Sequence, residues 1–327
     1  MCSFDGGADL ARELAPSPDA REVARLRDVT AEAVLLWERG LAGPGGAHDI
    51  RADVTHARRG APLEVAAFER IRATAEVACE MHAALAEHAD DAPLIAEVCE
   101  WIDAGALGRV ADRLGGALDG RGGIRDDASP GLARARRDVI ELRRQAQEAL
   151  REVAAAVKPH LQEGFITERA GRPVLAVKAS SRSAVPGIVH DTSDSGGTLF
   201  VEPLPVVEAS NRVREALARE REELAAVLAA LRALVEDHAG TLDAAVEALA
   251  EIDLRLARAS LSRAWRGAPV EPGDPLLERA RHPLLDPATA VPIDLDLSSI
   301  RALVVSGPNT GGKTVSLKTL GLFALLH

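Results

Sequence analysis

Eight consecutive residues have the types and spacing of a phosphate cradle: Gly307, Pro308, Asn309, Thr310, Gly311, Gly312, Lys313 and Thr314. The pattern is a glycine, four intervening residues, then glycine, lysine and a hydroxyl. Each type has its own part in holding a triphosphate. Gly307, Gly311 and Gly312 let backbone N–H groups approach the oxygens without Cβ clashes. A helix that starts after Gly312 turns its positive end toward the same anion. Lys313 carries a mobile charge to the β- and γ-phosphates, and the Thr314 hydroxyl is the expected ligand to magnesium. The spacing therefore predicts binding of ATP with Mg²⁺. Hydrolysis also needs an acid beyond a second apolar strand, and the 327 residues supply none after the loop. The catalytic residues are thus unassigned, and this stretch by itself is expected not to turn over ATP efficiently.

A second group could contact phosphates electrostatically. Between Gly164 and His190 stand Arg169, Arg172, Lys178 and Arg182 against the single acid Glu168, whereas the whole chain has a formal net charge of −11. That local reversal of sign predicts a nucleic-acid contact at these four residues. An overall charge of −11 excludes a protein that coats nucleic acid with its whole surface. Cys79, His82 and His88 lie close in sequence but in an Ala-rich helical stretch, and are read as packing residues, not metal ligands.

The elements around these groups follow from periodicity. Ile300 to Ser306 is a β-branched apolar run and predicts a strand entering the loop; Val315 to Leu326 predicts the helix leaving it. Farther back, Leu132, Ala135, Val139, Leu142, Ala146, Ala149, Val153 and Val157 alternate steps of three and four, the seam of a coiled coil that stops near Lys158 and Pro159. A second seam runs through Val213, Leu217, Leu224, Val227, Leu231 and Leu234, and continues with Leu242, Val246, Leu249 and Leu256. If unbroken from Val206 to Arg266 it makes a helix of roughly 90 Å; Gly240 and Thr241 offer a break. The two seams bury each other when the helices run antiparallel. The stretch between them then lies at the far tip. It reads as strands at Phe165 to Glu168, Val174 to Lys178, Val185 to His190 and Thr198 to Glu202.

The expected architecture is mainly α. An N-terminal helical core or lever region covers 1–130, with apolar spacing such as Val65, Phe68, Ile71 and Val77. A long antiparallel coiled-coil arm covers 131–266 and carries a small β clamp at about 161–204. The first part of an α/β P-loop ATPase domain covers 267–327. No run of about 18 uncharged apolar residues predicts a membrane span, and the first ten residues lack a signal-peptide layout. With three scattered cysteines and 47% hydrophobic residues, the chain reads as a folded cytoplasmic protein.

The loop and its helix, Ser306 through Leu322, resemble the MutS family of ABC-class ATPases, in its type-two branch. Thr310 stands where the mismatch-repair branch usually has Met. Arg281, His282, Pro283, Leu284 and Leu285 resemble the motif that opens the family's ATPase domain. Gly187 to Ser193 and Gly197 to Pro203 look like the type-two clamp sequence, and Glu208, Ala209, Ser210 and Asn211 like its return into the stalk. The match is strong from about residue 120 onward and weak before it. The resemblance implies a homodimer joined through ATPase heads, acting as an ATP-gated clamp on branched or recombination DNA. It also implies an endonuclease domain not represented among these residues. The triplet Phe200, Val201, Glu202 matches the mismatch-reading wedge of that other branch by letters only.

Three other functions are compatible with the pattern. One is an ATP-dependent factor that binds rRNA and splits collided ribosomes, since a basic tip grips phosphate on either polymer. Another is a chromosome-organising coiled-coil ATPase, although there the phosphate loop precedes the coil. The third is a scaffold whose nucleotide site is a vestige.

Overall fold

A computed structural model of the 327-residue chain describes residues 1–169, 171–270, 273, 276–286, 288–307 and 312–326, with the side chains of 163–165 and 325–326 left aside. The protein is mainly α with a small antiparallel sheet. Its helices are α1 (Asp5–Arg12), α2 (Ala20–Glu38), α3 (Arg51–Arg58), α4 (Val65–Ala86), α5 (Pro93–Ala96), α6 (Ala104–Ala117), α7 (Pro130–Ala156), α8 (Leu204–Asp237), α9 (Ala239–Trp265) and α10 (Lys313–Leu326). The strands are β1 (Leu161–Arg169), β2 (Arg172–Lys178), β3 (Gly187–Thr192), β4 (Thr198–Pro203), β5 (Leu276–Ala280) and β6 (Ile293–Asp296). Two compact units result, each assembled from separated stretches: Met1–Arg51, Ala73–Gly108 and Gly240–His327 in one, Ala52–Arg72 and Arg109–Ala239 in the other.

In the second unit, Ser129 caps α7 by accepting the Leu132 amide at 3.0 Å, and Pro130 occupies the first turn, where its missing N–H is no loss. Leu132, Ala135, Val139, Ala146 and Leu150 form the buried stripe of α7; Val206, Ser210, Ala216, Val227, Leu231 and Val235 form that of α8. Leu150 shares a core with Val206, while Arg136 reaches Glu220 at 3.4 Å and Arg232 binds the carbonyl of Ala57 at 3.0 Å. Low residues of α7 thus meet high residues of α8, so the two helices run antiparallel.

Between them lies a four-stranded sheet of order β1-β2-β4-β3, antiparallel throughout. Leu161, Leu175, Val177, Val185 and Val201 pack with Leu150 and Val206 to close the junction of sheet and helices. Two glycines are required here. Gly171, at φ 71, turns the β1–β2 hairpin, in which Arg169 pairs with Arg172. A Cβ on Gly187 would come within 2.2 Å of the Glu202 carbonyl oxygen, so β3 and β4 meet only because it is absent.

In the first unit, α9 supplies the buried residues Leu242, Val246, Leu249, Ile252 and Leu256. Asp253, 2% exposed, accepts the amides of Ser3 and Phe4 at 2.9 and 3.0 Å and the Ser3 hydroxyl at 2.7 Å. Arg255 binds the carbonyl of Leu94 at 2.9 Å. The considered unbroken helix from Val206 to Arg266 is corrected: α8 stops at Asp237 and α9 begins at Ala239. At the break the His238 ring bonds back to the carbonyl of Leu234 at 3.0 Å, satisfying an end group of α8.

Candidate nucleotide and nucleic-acid sites

Gly307 and Gly312 bound the candidate phosphate loop with φ of 140° and 78°, a backbone region open to glycine at no steric cost. Pro308, Asn309, Thr310 and Gly311 lie outside the described residues. Helix α10 begins at Lys313, and its first backbone bond is from the Ser316 amide to the Gly312 carbonyl at 2.9 Å. The amides of Lys313, Thr314 and Val315 are therefore left without intrahelical acceptors, pointing out of the helix N-terminus. The Lys313 side chain turns back over that end, and its ammonium donates to the Gly307 carbonyl, so one cation spans the two glycines. Thr314 is exposed in the same first turn. The described part of the motif thus collects free amides, a cation and a hydroxyl at one helix end, which is chemistry for a polyanion.

The strand expected at Ile300 to Ser306 is not formed. A strand exists by its ladder, and among the described residues β5 and β6 pair only with each other. Val304 is 88% exposed. Leu303 and Val305 nonetheless line a groove of about 300 Å³ together with Ile293, Leu295, Leu317 and Leu320, which leaves the run leaning against α10.

The four basic residues of the β unit prove to be of different kinds. Arg172 donates to both oxygens of Glu202 at 2.8 and 2.9 Å and to Asn211 at 3.0 Å, and its side chain is only 12% exposed. Arg182 is partly buried and ties down the carbonyls of Val185 and Gly187. Arg169 binds Asp191 at 3.2 Å and lies 4.1 Å above the Phe200 ring. Lys178 is exposed, donating to the Pro159 carbonyl at 3.2 Å. The local excess of charge also vanishes when the whole β unit is counted. From 161 to 203 the four bases face five acids, because Glu163, Asp191, Asp194 and Glu202 join Glu168.

Glu202 is the residue that reasoning from sequence alone missed. It has no exposed surface, and it accepts from Arg172 of β2 and pairs with His190 of β3 at 2.7 Å. The Ser210 hydroxyl of α8 is buried beside it, placed to donate. Burial pushes the Glu202 carboxyl up, but the nearby Ser210 hydroxyl and the hydrogen-bonded His190 and Arg172 outweigh it, so the group titrates below its ordinary value. The cluster joins three strands to the second turn of α8. An acid between apolar Val201 and Pro203 was the available signal, since a charge on a core strand must find partners.

Comparison with curated proteins finds relatives along nearly the whole chain. The endonuclease MutS2 of Thermomicrobium roseum is 42% identical over 345 residues, 99% of this chain. That of Symbiobacterium thermophilum is 39% identical over 98% of the chain, and that of Pelotomaculum thermopropionicum 38% identical over 98%. The chain spans about 43%, 41% and 42% of the length of these relatives, respectively. No protein-family model matches it.

Proposed function

From membership of the MutS2 family, to which this chain belongs along nearly its whole length, we propose that it is the arm and nucleotide-binding part of an ATP-gated clamp for nucleic acid. The observation that carries this reading is the Lys313 ammonium lying over the N-terminus of α10 and bonded to Gly307. In the proposed mechanism the triphosphate displaces that carbonyl as the partner of Lys313. The orphan amides of the first turn would receive its oxygens, and the Thr314 hydroxyl would help to hold a Mg²⁺ that neutralises phosphate charge.

Two copies pair through their ATPase heads across bound ATP. Closure passes along the helical region of 1–130 and the antiparallel pair α7–α8, a coiled-coil arm, to the sheet at its tip. The proposed substrate is branched DNA. ATP hydrolysis and DNA cleavage belong to the complete protein, the cleavage in a part not represented in these 327 residues. Of the basic residues at the tip, Lys178 and Arg169 keep enough exposure to touch phosphates, while Arg172 and Arg182 act by shaping the sheet.

Replacing Lys313 by Ala is expected to weaken binding of a fluorescent ATP analogue at least about tenfold, by loss of a charge-assisted contact of about 1.5–3 kcal/mol. Unchanged affinity would remove the basis for the proposal.

A further inference from the structure

The β unit has no surplus of positive charge and offers only Arg169 and Lys178 to phosphates, and a further candidate surface for phosphates lies in the same compact unit, on helix α7. It carries six arginines against four acids. At about 100° per residue, the charges segregate around the helix. Arg137, Arg144 and Arg151 recur every seven residues, opposite the buried stripe of Leu132, Ala135, Val139, Ala146 and Leu150. Ile140 and Arg143 extend that flank toward the stripe, and Asp138, Glu141, Glu148 and Glu152 gather on the other, with Arg134 among them.

Arg144 is committed to its own helix, binding Glu141 at 2.6 Å and Glu148 at 2.7 Å. Its hydrogen bond, with that of Gln145, holds Glu141 down to about 2. Arg137, Arg143 and Arg151 are exposed, and among the described residues none has an acid within ion-pair range. Ile140 sits among them 70% exposed, an apolar side chain outside any core.

We propose that this flank of α7, through Arg137, Arg143 and Arg151, lies along the phosphodiester backbone of double-stranded DNA. The inference rests on the clamp reading and adds a second contact, on the arm, to the one at the tip. Guanidinium groups engage phosphate oxygens bidentately. A straight helix spaces Arg137 and Arg151 about 20 Å apart at 1.5 Å per residue, a rigid row that suits a stiff duplex better than a coiling single strand. Such contacts position the arm without reading sequence.

The test measures duplex DNA binding against salt for the whole chain with R137Q, R143Q and R151Q combined, with thermal melting and ATP-analogue affinity as controls for folding and for the nucleotide site. Three lost phosphate contacts should reduce the log–log salt slope by about 2 to 3 and weaken binding roughly tenfold or more at 0.1 M salt. The opposite-flank variant D138N/E152Q should bind no more weakly than the parent. An unchanged slope, or an equal loss for single strands and duplex, overturns the proposal. So does capture of the parent by polyglutamate but not by duplex, which would assign the flank to an acidic protein. If the parent itself shows no salt-dependent DNA binding, with or without ATP, the clamp reading fails first, which keeps the two failures apart.

Discussion

At the scale of single residues, Glu202 has the largest consequences. A carboxylate without solvent exposure persists in a sheet only where cations and donors replace its water, and Arg172 and His190 do so. Removing it by Glu202→Ala leaves Arg172 buried without its counter-charge, and should cost about 3–5 kcal/mol in urea unfolding of the β unit. Because the folded-state carboxyl titrates below its ordinary value, its contribution is full above about pH 4. It is lost as pH falls through the lowered value. Glu202→Gln should flatten that acid limb of a stability–pH curve, and an unaltered limb would count against the assignment. Lys178→Ala should change stability by less than about 0.5 kcal/mol, since its one bond goes to the Pro159 carbonyl from an exposed position. The sequence shows four basic residues as one class; their separation into sheet-forming and exposed ones depends on which acids and carbonyls the fold brings near.

At the scale of elements, α7 was readable in advance from its apolar stripe and its stop near Pro159, and the structure adds the Ser129 cap and Pro130 in the same register. Replacing Ser129 with Ala removes the acceptor for the Leu132 amide, and should lower stability by about 1 kcal/mol, visible as a fall of a few degrees in the melting temperature. Leu150→Ala empties a fully buried position where α7, α8 and the sheet meet; a loss of about 2–5 kcal/mol is expected in the same assay. The strands of the four-stranded sheet were legible to within a few residues from alternation and turn residues. Ile300 to Ser306 was not, because β-branched residues supply a preference for extended backbone while a strand also needs a neighbour with which to pair. The end of α8 also escaped the pattern: the apolar period crosses His238 without interruption, whereas the helix ends there.

At the scale of the whole molecule, chain order and spatial grouping diverge. Asp253 of α9 holds Ser3 and Phe4 across 250 positions of sequence, so the beginning of the chain is secured by a late helix. Asp253→Ala should speed amide hydrogen exchange in α1 and cost about 1–3 kcal/mol through the unpaired amides it leaves. Asp253 and Glu202 share no hydrogen-bond partner and belong to different compact units, so the double variant should show the sum of the single losses within about 0.5 kcal/mol. The sequence by itself determined what depends on neighbours along the chain: the phosphate motif, the helical period, the caps and the turns, all set by bonds within a few residues. Tertiary structure alone decided which charges are neutralised and which extended run becomes a strand, and it grouped α9 with the N-terminal helices. Those outcomes depend on partners distant in sequence, and burial gives such partners their energetic weight.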